Sequence, residues 1–269
     1  MAICPLGAIL AVQPGGMIAA TGTGWVFMMN AVSSLAVLIG LWMMRPSELH
    51  PAPPVHRARG QLIEGIRYVR GRGDLVMIMV LIFVIGTFGL NFQITTALMA
   101  KQVFGKGASG YGLLSTALAV GACAGAVLAT RRTKRPTQLF LIVTALAFSV
   151  FEIASGVMPT YLGTALLLVP TGLGMLTLTT AANAAVQLGV EPTMRGRVMA
   201  LYLVCFMGGT PVGAPIVGWL AGAAGPRWGL IGGGLVCLLV TLGIAAVIAH
   251  RRGLTPDYLT RRAVKVVHA

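Results

Sequence analysis

The apolar positions of this chain fall in long continuous runs separated by short polar stretches, with no sustained alternation of apolar and polar residues. Eight runs stand out, at residues 3–20, 25–44, 75–99, 111–130, 139–157, 161–187, 198–222 and 228–249. Runs near ~20 residues have the length that crosses a bilayer as a helix. Only helices and closed barrels satisfy their backbone in lipid, and a barrel would show ~10-residue alternating segments. The pattern therefore predicts an all-α membrane protein with about eight transmembrane helices. The first run is the weakest, being short and interrupted by Pro14, Gly15 and Gly16.

The connections supply an orientation. With the N-terminus in the cytoplasm and strict alternation, the inside connections are 45–74, 131–137, 188–197 and the C-terminal tail. They hold six, four, two and five Lys or Arg, leaving only Lys101, Lys106 and Arg227 outside. That asymmetry is what the positive-inside rule requires, and it fails when a spanning segment is removed from the middle. The expectation is a multi-pass protein of the inner (plasma) membrane with both termini cytoplasmic.

The longest inside connection begins with Pro46, Pro51, Pro53 and Pro54. It then becomes amphipathic, with Leu62, Ile66 and Val69 on one face and Arg67, Arg70 and Arg72 elsewhere. Such a stretch suits either a linker between two bundles or a helix lying in the headgroup layer. An internal repeat is faintly visible. Gly15, Gly22 and Trp25 recur as Gly218, Gly225 and Trp228 at a constant offset of 203 residues. In both places they straddle a short outside turn, as parallel repeats of a transporter would.

Composition agrees and narrows the function. Charged residues make up 10% of the chain and the mean hydropathy is +0.87, whereas a soluble domain carries roughly 25% charged residues. The net charge of +14 invites a nucleic-acid reading. The basic residues, however, sit in loops between apolar runs and not on one face of a soluble fold, so no nucleic-acid partner is expected. Cys4, Cys123, Cys205 and Cys237 lie far apart without metal or redox spacing. They read as small buried hydrophobes. No catalytic or phosphate-binding motif is present, and all four histidines fall in connections or the tail. The chain is expected not to be an enzyme, with no metal and no cofactor.

Several local sequences carry a family resemblance. They are Glu64-Gly65-Ile66-Arg67-Tyr68-Val69, Asn91-Phe92-Gln93, Gly110-Tyr111-Gly112-Leu113-Leu114-Ser115 and Asn183-Ala184-Ala185-Val186-Gln187. Met194-Arg195-Gly196-Arg197 through Tyr202 follows, with a glycine-rich run holding Thr210-Pro211 and Pro215. Together these resemble the major facilitator superfamily, in particular bacterial exporters that include the enterobactin exporter and related drug-efflux proteins. The resemblance implies a C-terminal six-helix bundle (75–250) preceded by the last two helices of an N-terminal bundle (1–44). Residues 45–74 become the central cytoplasmic loop and 251–269 a basic tail. It also implies an N-terminally truncated chain whose partners are the lipid bilayer, a small-molecule substrate, and a missing N-terminal half or a second copy. The family's basic loop motif is reduced here to Arg131-Arg132-Thr133-Lys134-Arg135-Pro136 and lacks its acid, which weakens a gating role.

Polar groups at membrane depth are expensive and so mark candidate sites. Thr180, Asn183 and Gln187, with Thr177 nearby, share one helix side. Asn91, Gln93, Thr95 and Thr96 form a second cluster. Both clusters fit either a substrate cavity or interhelical hydrogen bonding. Glu152, the one acid well inside a run, is a candidate proton-coupling group or a snorkelling or helix-pairing carboxylate, in a helix the resemblance makes peripheral. Arg131, Arg132, Arg195 and Arg197 are candidates for a cytoplasmic gate or loop, the last two also for headgroup binding or pairing with Glu191. Gly121 and Gly125, Gly209 and Gly213, and Gly218 and Gly222 have the spacing of close helix packing. The expected function is secondary active transport, an efflux of small amphipathic molecules by alternating access. Two alternatives stand beside it, a non-transporting scaffold or regulatory fragment and a half-transporter acting as a homodimer.

Overall fold

A computed structural model describes residues 23–43, 61–132 and 135–251. The first predicted run, 3–20, the start of the central connection and the basic tail lie outside the described residues. Among those described there is no strand, and six helical spans are long and apolar enough to cross a membrane. They follow α1 (Thr23–Trp42) and the short amphipathic α2 (Gln61–Arg70). The first span is compound, made of α3 (Gly73–Val84), a π turn (Ile85–Gly89), α4 (Phe92–Leu98) and a second π turn (Met99–Val103). The others are α5 (Ala108–Thr130), α6 (Gln138–Val157), α7 (Tyr161–Gly189), α8 (Pro192–Ala224) and α9 (Pro226–Arg251). The six correspond to the last six predicted runs, while α1 realises the second predicted run as a helix with a shorter apolar stretch.

Local chemistry sets the boundaries. The Thr137 and Thr160 hydroxyls accept hydrogen bonds from the Phe140 and Gly163 amides, each at 3.2 Å, satisfying donors that a helix start leaves orphaned. Pro192 opens α8, where its missing N–H is not needed. Gly225 ends α8 at φ +100, a conformation suited to glycine, and Pro226 starts α9. Pro170, Pro211 and Pro215 sit inside their helices.

The 73–103 span is the hub. Of its most apolar stretch 72% is buried, against 22% in α5, α8 and α9. It touches α5, α7, α8 and α9, while α5 packs along α7 and α6 fits between α7 and α9. Phe148 of α6 is fully buried at the centre. Phe148 meets Phe92 edge-on at 6.2 Å, and a Cβ at Gly174 would lie 3.3 Å from its Cα.

The run at 75–99 predicts one spanning helix, and the observed span is interrupted within it at Leu90 and Asn91, neither of which has helical dihedrals. Close approach of α8 accompanies the break. A Cβ at Gly213 would strike the Thr87 carbonyl, and one at Gly86 would sit 2.5 Å from the Phe206 carbonyl oxygen. Thus Gly209 and Gly213 pack on the hub as their spacing predicts. Gly121 and Gly125 do the same against α7, with Gly172 reciprocating against Leu118. Gly218 and Gly222 differ, since among the described residues nothing lies within 4 Å of a Cβ at either.

Candidate functional site

Polar contacts separate the two ends of the bundle. At one end, Tyr161 donates to the Gly110 carbonyl at 2.8 Å and lies under the Lys106 ammonium at 4.8 Å. Arg227 there donates to the Val157 and Met158 carbonyls. The other end gathers α2 and the connections at 131–137 and 189–192. Among the described residues, the connections between the six spans lie alternately at the two ends of the bundle.

At this basic end the structure builds a clasp that no local sequence displays. Arg72 forms a two-pronged pair with Asp74, at 3.2 and 2.8 Å, and donates to the Gly189 carbonyl at 3.0 Å, on the last residue of α7. Its cation there meets the negative end of a helix. Arg135 reaches the same Asp74 carboxylate at 3.3 Å. The acid absent from the 131–136 motif is thus supplied by Asp74, 61 residues earlier in the chain. The Asp74 carboxylate raises the Arg72 guanidinium further above its ordinary pKa. A second pair, Arg197 with Glu64 at 2.8 Å, fastens α2 to the start of α8. Arg197 therefore pairs with Glu64 and not with Glu191. Arg132 stacks on the Phe140 ring at 3.6 Å, and Arg131 and Arg195 are exposed.

The α7 strip grades in exposure towards the basic end. Thr177 is buried with its hydroxyl unpartnered, 3.2 Å from where a Gly125 Cβ would lie. Thr180 and Asn183 are half-buried and Gln187 is exposed. Thr180 donates to the Leu176 carbonyl at 2.6 Å, and Gln187 donates to Asn183 Oδ1 at 2.6 Å. Sequence reasoning passed over Tyr202, a buried ring on α8 whose hydroxyl donates to the Thr179 carbonyl at 3.3 Å beside this strip.

The second cluster divides. Asn91, Thr95 and Thr96 are buried and bonded within their own span, to the carbonyls of Thr87 (2.8 Å), Asn91 (3.1 Å) and Phe92 respectively. Gln93 is exposed on another side. Asn91 sits where the helix breaks, so its amide takes up a carbonyl that the interruption releases.

Glu152 is 2% exposed, so its carboxyl is enclosed by neighbouring helices. Oε2 has no hydrogen-bond partner. A Cβ at Gly233 of α9 would lie 3.4 Å from Oε1 and 2.5 Å from the Phe88 carbonyl oxygen. The carboxyl therefore occupies the seam between α6, α9 and the π turn, a helical irregularity frequent at functional sites. Cys237, fully buried on α9, is its titratable neighbour.

Residues 8–257 match the model of the transmembrane secretion effector family, a group of major facilitator-type transporters. The chain belongs to that family. Neither a curated protein nor a solved structure matches it. A multi-pass membrane transporter of major facilitator type, from a family that is generally non-enzymatic, is thus the setting for the strip, the buried carboxyl and the clasp.

Proposed function

We propose that the chain takes part in secondary active export of small amphipathic molecules by alternating access, as the bacterial drug and siderophore exporters that it resembles do. The observation that carries this reading is the graded strip Thr180–Asn183–Gln187, a polar track on a membrane-spanning helix of a major facilitator-type bundle. Substrate contacts fall to this strip and to Gln93. Glu152 is the proposed coupling group. An enclosed carboxyl with no cationic partner among the described residues is costly as a bare anion, and loading and unloading a proton would couple it to the seam between α6, α9 and the broken hub helix.

The basic end faces the cytoplasm of the inner membrane in this reading, following the charge asymmetry. Alternating access requires two bundles rocking about a central site, and the described spans form one. The open Gly218–Gly222 face of α8, with Trp219 72% exposed, is the proposed docking face for the second. A second copy of this chain or a further helical segment would supply it.

Purified protein in vesicles loaded with a fluorescent cationic dye tests the proposal. A proton gradient should drive concentrative dye movement, N183A should weaken it severalfold, and E152Q should remove its dependence on the gradient. Absence of transport from vesicles that contain correctly folded protein would leave the scaffold reading in its place.

A further inference from the structure

Apart from the strip and the clasp, the basic end holds a groove of about 920 Å³ between the start of α3, the first turn of α6 and the last third of α9. Val76, Met77 and Val80 form one wall, and Val240, Ile244 and Val247 the other. Polar residues are confined to the mouth, where Arg70, Asp74 and Gln138 stand. Val80 and Val247 are 41% and 54% exposed, so the groove opens sideways onto the apolar belt of the bundle as well as towards its end. Gly73 and Gly243 keep it wide, since a Cβ at either would meet nothing within 4 Å.

Shape and charge select the occupant. An apolar trench open to hydrocarbon, with polar groups at one end only, matches an amphiphile standing upright in a leaflet. The Asp74 carboxylate is engaged by Arg72 and Arg135, whereas Arg70 is exposed at the mouth, leaving an excess of positive charge there. Arg70 also ends α2, which exposes Ile63 and Ile66 beside Arg67, a surface suited to the headgroup layer. The volume lies within the ~300–1,000 Å³ of small-molecule sites, and basic pockets between helices favour anionic headgroups.

We propose that this groove is a specific site for an anionic phospholipid. One acyl chain lies between α3 and α9, and the phosphate sits against Arg70.

Native mass spectrometry of the full chain, titrated in detergent with phosphatidylglycerol or phosphatidylcholine, tests it. The wild-type protein should retain phosphatidylglycerol about tenfold more tightly than phosphatidylcholine. G243F, whose ring fills the trench, should abolish retention of both, while G243A should keep it. R70Q, an exposed change that leaves the trench intact, should keep phosphatidylcholine binding and bring the preference close to parity. Equal retention of the two lipids by the wild type, or unchanged phosphatidylglycerol retention in G243F, overturns the proposal. So does a groove that takes lipid only after removal of residues 252–269, which would make the tail the occupant. Loss of dye binding in G243F with lipid retention intact would make the groove a substrate entrance and equally sink the idea.

Discussion

Replacing Gly172 with alanine tests one of the close helix crossings in the bundle. A Cβ there would strike the Leu118 carbonyl and lie 3.0 Å from the Ala122 nitrogen. These are backbone atoms of α5, which cannot rotate aside as a side chain would. To reach ordinary contact the two helices must part by about 1 Å, and a gap of that size forfeits roughly half of each dispersion well. Each atom pair contributes only ~0.1–0.2 kcal/mol, but a long crossing contains tens of them. The expected loss is about 2–3 kcal/mol, at the upper part of the overpacking range, or on the order of 5–10 °C in melting temperature. Gly243 provides the matched control, since nothing lies within 4 Å of its Cβ and G243A should melt within a degree or two of wild type. Thermal unfolding in detergent can be followed with a thiol-reactive dye in a background with Cys4, Cys123 and Cys205 replaced by serine, because Cys237 is fully buried and reacts only on opening. Gly121 faces the same crossing from α5 against Val169. G121A/G172A should therefore cost less than the sum of the single changes, the helices having already parted. Equal melting of G172A and G243A would refute the close-packing argument.

Other consequences can be checked with the same assay. D74N strands two guanidiniums at once and should lower stability by about 1 kcal/mol, whereas E64Q, with Glu64 more exposed, should cost only a few tenths of that. Y161F removes the hydroxyl that donates to Gly110 but keeps the ring over which Lys106 sits. It should cost about 0.6 kcal/mol, and K106Q a similar amount. E152Q removes no ion pair among the described residues, so its melting should stay close to wild type while proton-gradient-driven dye transport is lost. A large loss of stability instead would make Glu152 structural.

The sequence by itself determined that the chain crosses a membrane, where its last six spans lie, and how they alternate. Each of these follows from local apolar content and from charge in the connections, properties a residue carries whatever its neighbours. It did not determine which spacing of glycines packs. Of the three pairs singled out by their spacing, those at 121/125 and 209/213 meet another helix, whereas among the described residues nothing lies within 4 Å of a Cβ at 218 or 222, because close approach is a property of two helices together. The same holds for the interruption at Leu90–Asn91, which lies in a run without proline and where α8 presses on Thr87. The local motif at 131–136 lacks an acid, and only the fold brings Asp74 to Arg135 across 61 residues. Glu152 was visible as an acid in an apolar run. Its enclosure was decided by α9 and the π turn closing over it, and hydropathy along a single chain carries no information about that contact.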